Sequence, residues 1–192
     1  MQAQTAETSS RYSLAAEMSR AYVRPRRTMA RQIEAGLSEG RAVLHLMVAC
    51  LLYCAASVPG ALRAAENLPV DDAATAAVAS LIFAFVVVAP GLAYAMSALV
   101  KLMIGGAGLA VRSALFWALL LGAPIALLLS ALSATLGLFS PQAVEIASLL
   151  AFAGWVWLAA ASLGAASERR TWPIFVAVLG SFALVVFGVE TL

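Results

Sequence analysis

The chain has 192 residues, 63% of them apolar and only 11% charged, where an ordinary soluble domain carries about 25% charged and about 45–50% apolar residues. One soluble core cannot absorb that excess, so composition excludes a soluble globular class and points to an all-α, polytopic membrane protein. The formal net charge of +2 is too small to imply a nucleic-acid partner, and what matters is where the charges fall.

Residues 1–41 read as a cytoplasmic tail followed by an interfacial amphipathic segment. Met1 to Ser10 is polar and offers almost nothing to bury, so it is expected to be mobile. From Ser13 onward, Leu14, Met18 and Tyr22 recur every four residues, which predicts a short helix with one apolar edge. Pro25 closes it, because the residue before a proline is driven out of the helical region. A second helix is expected from Thr28 to about Leu37, with Met29, Ile33 and Leu37 as its stripe. Gly36 and Ser38-Glu39-Gly40 break it. Arg24, Arg26, Arg27 and Arg31 make this segment the candidate contact surface. Short and polar, it fits helices lying in the headgroup layer with their arginines towards anionic lipid, each worth about 1 kcal/mol there. The plainer reading is that the arginines only fix orientation.

Residues 42–192 divide into five expected spans, at about 42–62, 75–103, 109–138, 141–166 and 173–189. The first is uncharged between Arg41 and Arg63 and has about the twenty residues that a spanning helix needs. No cleavable signal peptide is apparent ahead of it, so it reads as a retained signal-anchor helix. Cys50 and Cys54 lie inside it four apart and read as small packing residues. The polar stretch Arg63 to Asp72, with Pro69, separates it from the second span. Gly105-Gly106-Ala107-Gly108 is the next turn. Ser140-Pro141 signals a helix start, and Glu168-Arg169-Arg170-Thr171 precedes the last span. Pro90 and Pro124 sit near the middle of the second and third spans as candidate kinks, tolerable where a neighbouring helix or hydroxyl covers the freed carbonyl. Ala118 with Gly122 and Ala160 with Gly164 permit close helix approach. Trp117 and Trp172 are expected as belt residues, Trp155 and Trp157 as deeper packing or lipid-facing bulk.

With the amino terminus in the cytoplasm, eleven of the twelve Lys and Arg residues fall on the cytoplasmic side, leaving Arg63 outside. Glu66, Asp71, Asp72, Glu145 and Glu190 fall on the outer side. Four or six spans would break this segregation. The amino terminus is therefore expected in the cytoplasm and the carboxyl terminus on the opposite side of the membrane, which is periplasmic if the membrane is the bacterial inner membrane that the resemblance named below implies.

Chemistry is harder to find. No ionisable residue lies near the middle of a span, where one would mark a functional site. His45, the one histidine, lies about a turn inside the cytoplasmic face, within expected reach of water. Lys101 can snorkel. There is no HExxH, no phosphate-binding glycine loop and no Ser/His/Asp set. An enzyme is not expected, nor a cofactor, nor a metal. No internal repeat is visible, which disfavours a stand-alone secondary transporter.

Tyr22…Pro25-Arg26-Arg27-Thr28-Met29-Ala30-Arg31-Gln32-Ile33 followed by five spans resembles the bacterial, rhodobacterial-type branch of the Yip1 family. Gly40-Arg41-Ala42 leading to Leu46-Met47-Val48-Ala49-Cys50, Ala89-Pro90-Gly91, and Ala114-Leu115-Phe116-Trp117-Ala118-Leu119-Leu120 before Pro124 carry the resemblance further, with Gly154-Trp155-Val156-Trp157-Leu158. It implies five spans and a cytoplasmic amino terminus. Eukaryotic members act in vesicle trafficking and bind small GTPases, but their Asp-Leu-Tyr-Gly-Pro signature has no counterpart here. The leading expectation is non-enzymatic membrane organisation or scaffolding through anionic lipid. An accessory subunit docking on other integral membrane proteins comes second, and a small-molecule or lipid transporter third.

Overall fold

The structure, a computed structural model, describes residues 14–66, 72–139, 141–167 and 171–190. The expected tail Met1–Ser10, Pro69, Ser140, and Arg169 with Arg170 lie outside these residues. Seven helices run through the described residues: α1 Leu14–Val23, α2 Pro25–Glu34, α3 Glu39–Glu66, α4 Ala73–Ile104, α5 Gly108–Phe139, α6 Pro141–Ala166 and α7 Thr171–Glu190. The helices α3 to α6 are the four that are long and apolar enough to cross a membrane.

Local chemistry sets the helix ends. Pro25 does not merely close α1; it opens α2 at the first helical position, where its missing N–H costs nothing. The second helix therefore starts at Pro25 rather than Thr28, and it ends at Glu34 rather than Leu37 because the chain turns at Gly36. Gly36, at φ 91°, takes the left-handed conformation that turns the chain towards α3. Ser38 was expected only to break a helix, yet its Oγ accepts the Arg41 backbone N–H at 3.3 Å and so caps the start of α3. In α4, one wide π-helical turn over Ala84–Val88 comes immediately before Pro90. A proline ring collides with the carbonyl four residues back, here that of Val86, and a widened turn gives that collision room.

The fifth helix is the centre of the bundle. It packs against α3, α4, α6 and α1, while α7 packs on α6 and on the Ala89–Ile104 part of α4. Ala114, Leu115, Phe116, Trp117, Ala118 and Leu121 have no exposed surface at all. A helix apolar on every side belongs in the middle. This corrects two expectations. Trp117 is not a belt residue, because the central helix has no outward face there. His45 is 6% exposed and away from water, its ring 5.0 Å from that of Trp117. Depth along a span follows from counting residues. Which side meets a neighbour does not.

Within the apolar part of the bundle, polar contacts between helices go to main-chain oxygens. The Trp155 indole N–H donates to the Ala118 carbonyl at 3.1 Å, and the Ser130 hydroxyl donates to the Ala56 carbonyl at 2.6 Å. The Ala118–Gly122 pair lies on this seam. A Cβ on Gly122 would stand 2.6 Å from Trp155 Cδ1 and would also meet the Tyr53 hydroxyl, so only glycine lets α3, α5 and α6 converge.

Candidate functional site

Two short helices precede the long ones, and they do not stand apart from them. Helix α2 packs on α6, and α1 packs on both α2 and α5. Ala21 and Met29 are fully buried, with Thr28 and Gln32 3% and 6% exposed. The predicted apolar stripe explains this: Met18, Ile33 and Leu37 also pack against the common core. Burying one side chain of methionine size is worth about 1.5–3 kcal/mol, so a few such contacts dock the hairpin.

Polar contacts fix where it docks. The Tyr22 hydroxyl donates to the Leu121 carbonyl of α5. Pro124 has no N–H to offer the Leu120 carbonyl, so the Tyr22 bond lies beside the gap that this proline opens. Burial pushes the Tyr22 hydroxyl above its ordinary value of 10.0, which keeps the donor protonated. Arg41, near the start of α3, pairs with Glu17 of α1 at 3.3 Å. At the same end of the bundle, Glu39 binds Arg112 at 2.8 Å and accepts the Tyr94 hydroxyl at 3.0 Å. The Arg112 guanidinium also lies 5.8 Å from the centre of the Tyr94 ring.

The candidate arginines divide between two sides of the hairpin. Arg24, Arg26 and Arg27 line an open groove of about 550 Å³ with Trp157 and Ala161 of α6 and Thr171 at the start of α7. Arg24, Arg27 and Arg31 share a second groove, about 780 Å³, with Arg20 and Glu34. Arg31 alone of the four also faces inward, onto a cavity of about 220 Å³ lined by Glu17, Arg20, Thr28, Gln32 and Arg41. Reading the sequence missed Gln32, Arg20, Glu17 and Arg41 as neighbours of Arg31. The available signal was the four-residue spacing of Glu17 behind Ala21, the side of α1 that must face α2 and α3 if Ala21 is buried.

Pro90 and Pro124, the candidate kinks, are not brought together. Pro124 is tied to the hairpin through Tyr22. Pro90 follows the wide turn in α4, beside a separate apolar cavity of about 240 Å³ whose lining includes Phe85, Ala89, Tyr53 and Trp155. Among the described residues no group of His, Cys, Asp or Glu is placed to hold a metal.

No family model, no curated protein and no solved structure matches the chain. Nothing in these comparisons identifies the Yip1 family expected from the motifs quoted above.

Proposed function

We propose that this chain is a non-enzymatic, multi-pass protein of the bacterial inner membrane that organises membrane by holding anionic lipid at its basic hairpin. One observation carries the reading. The groove that gathers Arg24, Arg26 and Arg27 has an apolar wall from α6, where Trp157 is 54% exposed. Val23, at the tip of the hairpin, is 78% exposed. Guanidinium groups beside outward-facing apolar surface match a phospholipid, with the phosphate on the arginines and the acyl chains along α6. In this reading α7 is a fifth span: its 20 residues, at about 1.5 Å each, match a hydrocarbon core of about 30 Å. The amino terminus is cytoplasmic by charge segregation. The Yip1-like layout agrees with this topology and adds no activity to it.

Native mass spectrometry of the full chain, released from mixed phosphatidylglycerol and phosphatidylcholine vesicles, tests the proposal. Phosphatidylglycerol should be retained preferentially. Replacing Arg24, Arg26 and Arg27 together by Gln should weaken retention by at least tenfold, since each contributes about 1 kcal/mol. Equal retention of both lipids would overturn the lipid role. A stoichiometric co-purifying protein would favour the accessory-subunit reading instead.

A further inference from the structure

The half-open cavity of about 220 Å³ beside the hairpin, lined by Glu17, Arg20, Thr28, Arg31, Gln32 and Arg41, is a different place from the lipid groove. Three arginines and one glutamate give its lining a net charge of +2. The Gln32 side chain is 6% exposed, and its amide nitrogen has no hydrogen-bond partner. Leaving such a donor buried and unmade costs about 1–3 kcal/mol, and the surrounding helices are held in place around it. The Glu17–Arg41 pair at 3.3 Å joins α1 to the start of α3, and Thr28 holds its own hydroxyl to the Arg24 carbonyl at 3.1 Å. Arg31 approaches the Thr28 Oγ1 at 3.5 Å, which keeps its guanidinium over the cavity.

We infer that this cavity binds a phosphate monoester group, gripped by Arg31 and Arg41, with the Gln32 amide, whose nitrogen is closed off from solvent, turning to donate its N–H to the anion. Each guanidinium carries five N–H donors, so one ion pair or one weak bond does not saturate it. The fork of an arginine matches two phosphate oxygens at once. Charge selects among anions: a phosphomonoester carries about −1.5 to −2 at neutral pH, against the lining's +2, whereas a carboxylate or a phosphodiester carries one negative charge. Size selects too. At about 220 Å³ the cavity lies below the roughly 300–1,000 Å³ of sites for drug-sized ligands, so it suits the phosphate itself and not a nucleotide with its base. The group can arrive free in solution or on a lipid headgroup of the phosphatidic acid type. Either way it would tie α1, α2 and α3 together.

The test uses the full chain in phosphatidylcholine nanodiscs, with thermal unfolding followed by tryptophan fluorescence. In one arm inorganic phosphate is titrated against chloride at constant ionic strength. In the other, phosphatidic acid replaces part of the phosphatidylcholine and is compared with the same fraction of phosphatidylglycerol, a phosphodiester that the lipid groove also holds, and only the rise beyond phosphatidylglycerol counts as the response. A saturable rise in melting temperature is expected in at least one arm, as for any ligand that binds only the folded state. A response to inorganic phosphate assigns the free source, and a response to phosphatidic acid alone assigns the headgroup. Gln32→Leu should weaken the apparent affinity about tenfold and Arg31→Gln by at least as much. Arg31→Gln, on the rim of the cavity, serves where Gln32→Leu folds poorly. Arg26→Gln, which lines only the lipid groove, should weaken phosphatidylglycerol retention and leave the response to inorganic phosphate unchanged, so this inference and the lipid reading can fail separately. No saturable response in either arm overturns the inference, as does a response that both Gln32→Leu and Arg31→Gln leave intact.

Discussion

A methyl group on residue 122 would need space that Trp155 and Tyr53 already fill, at 2.6 Å from Trp155 Cδ1. Neither ring is a flexible chain end. The Trp155 indole is fixed by its bond to the Ala118 carbonyl, so α6 must shift as a body. Gly122→Ala should therefore destabilise the bundle by about 1–3 kcal/mol, the usual cost of overpacking, read as a lower melting temperature in detergent. The four-residue spacing of Ala118 and Gly122 was legible in the sequence. That two aromatic rings from two other helices converge on it was not, because spacing along one helix carries no information about the partner. Tyr22 makes the same point for a polar contact. Its place on an apolar stripe was legible, its bond to Leu121 was not. Tyr22→Phe should loosen the hairpin by about 1 kcal/mol, the net worth of one hydrogen bond. The sign with pH follows from burial: the docked state favours the protonated hydroxyl, so its contribution holds below pH 10 and fades as pH rises beyond the ordinary value of 10.0. Tyrosinate absorbance during alkaline titration should show one late-ionising tyrosine fewer in Tyr22→Phe.

The helical hairpin is where sequence and structure differ most instructively. Its two helices, its proline and its apolar stripe were all readable, yet the stripe is equally compatible with lipid and with a protein surface. Hydrophobic periodicity says that a face must be covered and is silent about what covers it. Here α6 covers α2 and α5 meets α1, and Met29 is fully buried within the common core. Placing a carboxylate at that position would bury an unpaired charge, a cost of several kcal/mol that undocking relieves. Met29→Asp should therefore release α1 and α2 while the long helices stay folded. Trypsin offers a direct measurement, since the segment carries Arg24, Arg26, Arg27 and Arg31. The wild-type protein should resist cleavage there, and Met29→Asp should be cut first at those sites. Cleavage at equal rates in both proteins would mean that the hairpin is not docked. The long helices behaved differently. Four of the expected spans coincide with long helices to within a few residues, because the length of an uninterrupted apolar run is set by the run itself. The wide turn in α4 left no such mark, since its residues are as apolar and β-branched as those around it.

At the scale of the whole molecule, helix count and helix direction are linked through charge. The ends of the long helices that meet the hairpin are the starts of α3 and α5 and the ends of α4 and α6. Glu39 touches Arg112 and Tyr94 there, and a Cβ on Gly106 would stand 3.6 Å from the Ala166 carbonyl oxygen. That one end therefore gathers Arg24, Arg26, Arg27, Arg31, Arg41, Lys101 and Arg112, as the positive-inside rule requires of a cytoplasmic face. Whether the chain finishes on that face or the opposite one depends on α7 alone. If α3 to α6 cross with their basic end in the cytoplasm, as proposed above, and α7 crosses as well, a reporter fused after Leu192 lies in the periplasm, while one inserted after Ser167 lies in the cytoplasm. Alkaline phosphatase should then be active at the first position and silent at the second, and green fluorescent protein should show the reverse. Four crossings would put both positions on one side and give both reporters the same result. The charge pattern does not decide between the two counts, since all twelve basic residues precede α7 and keep their side whether or not it crosses; only Glu190 changes side, so the reporters carry the decision.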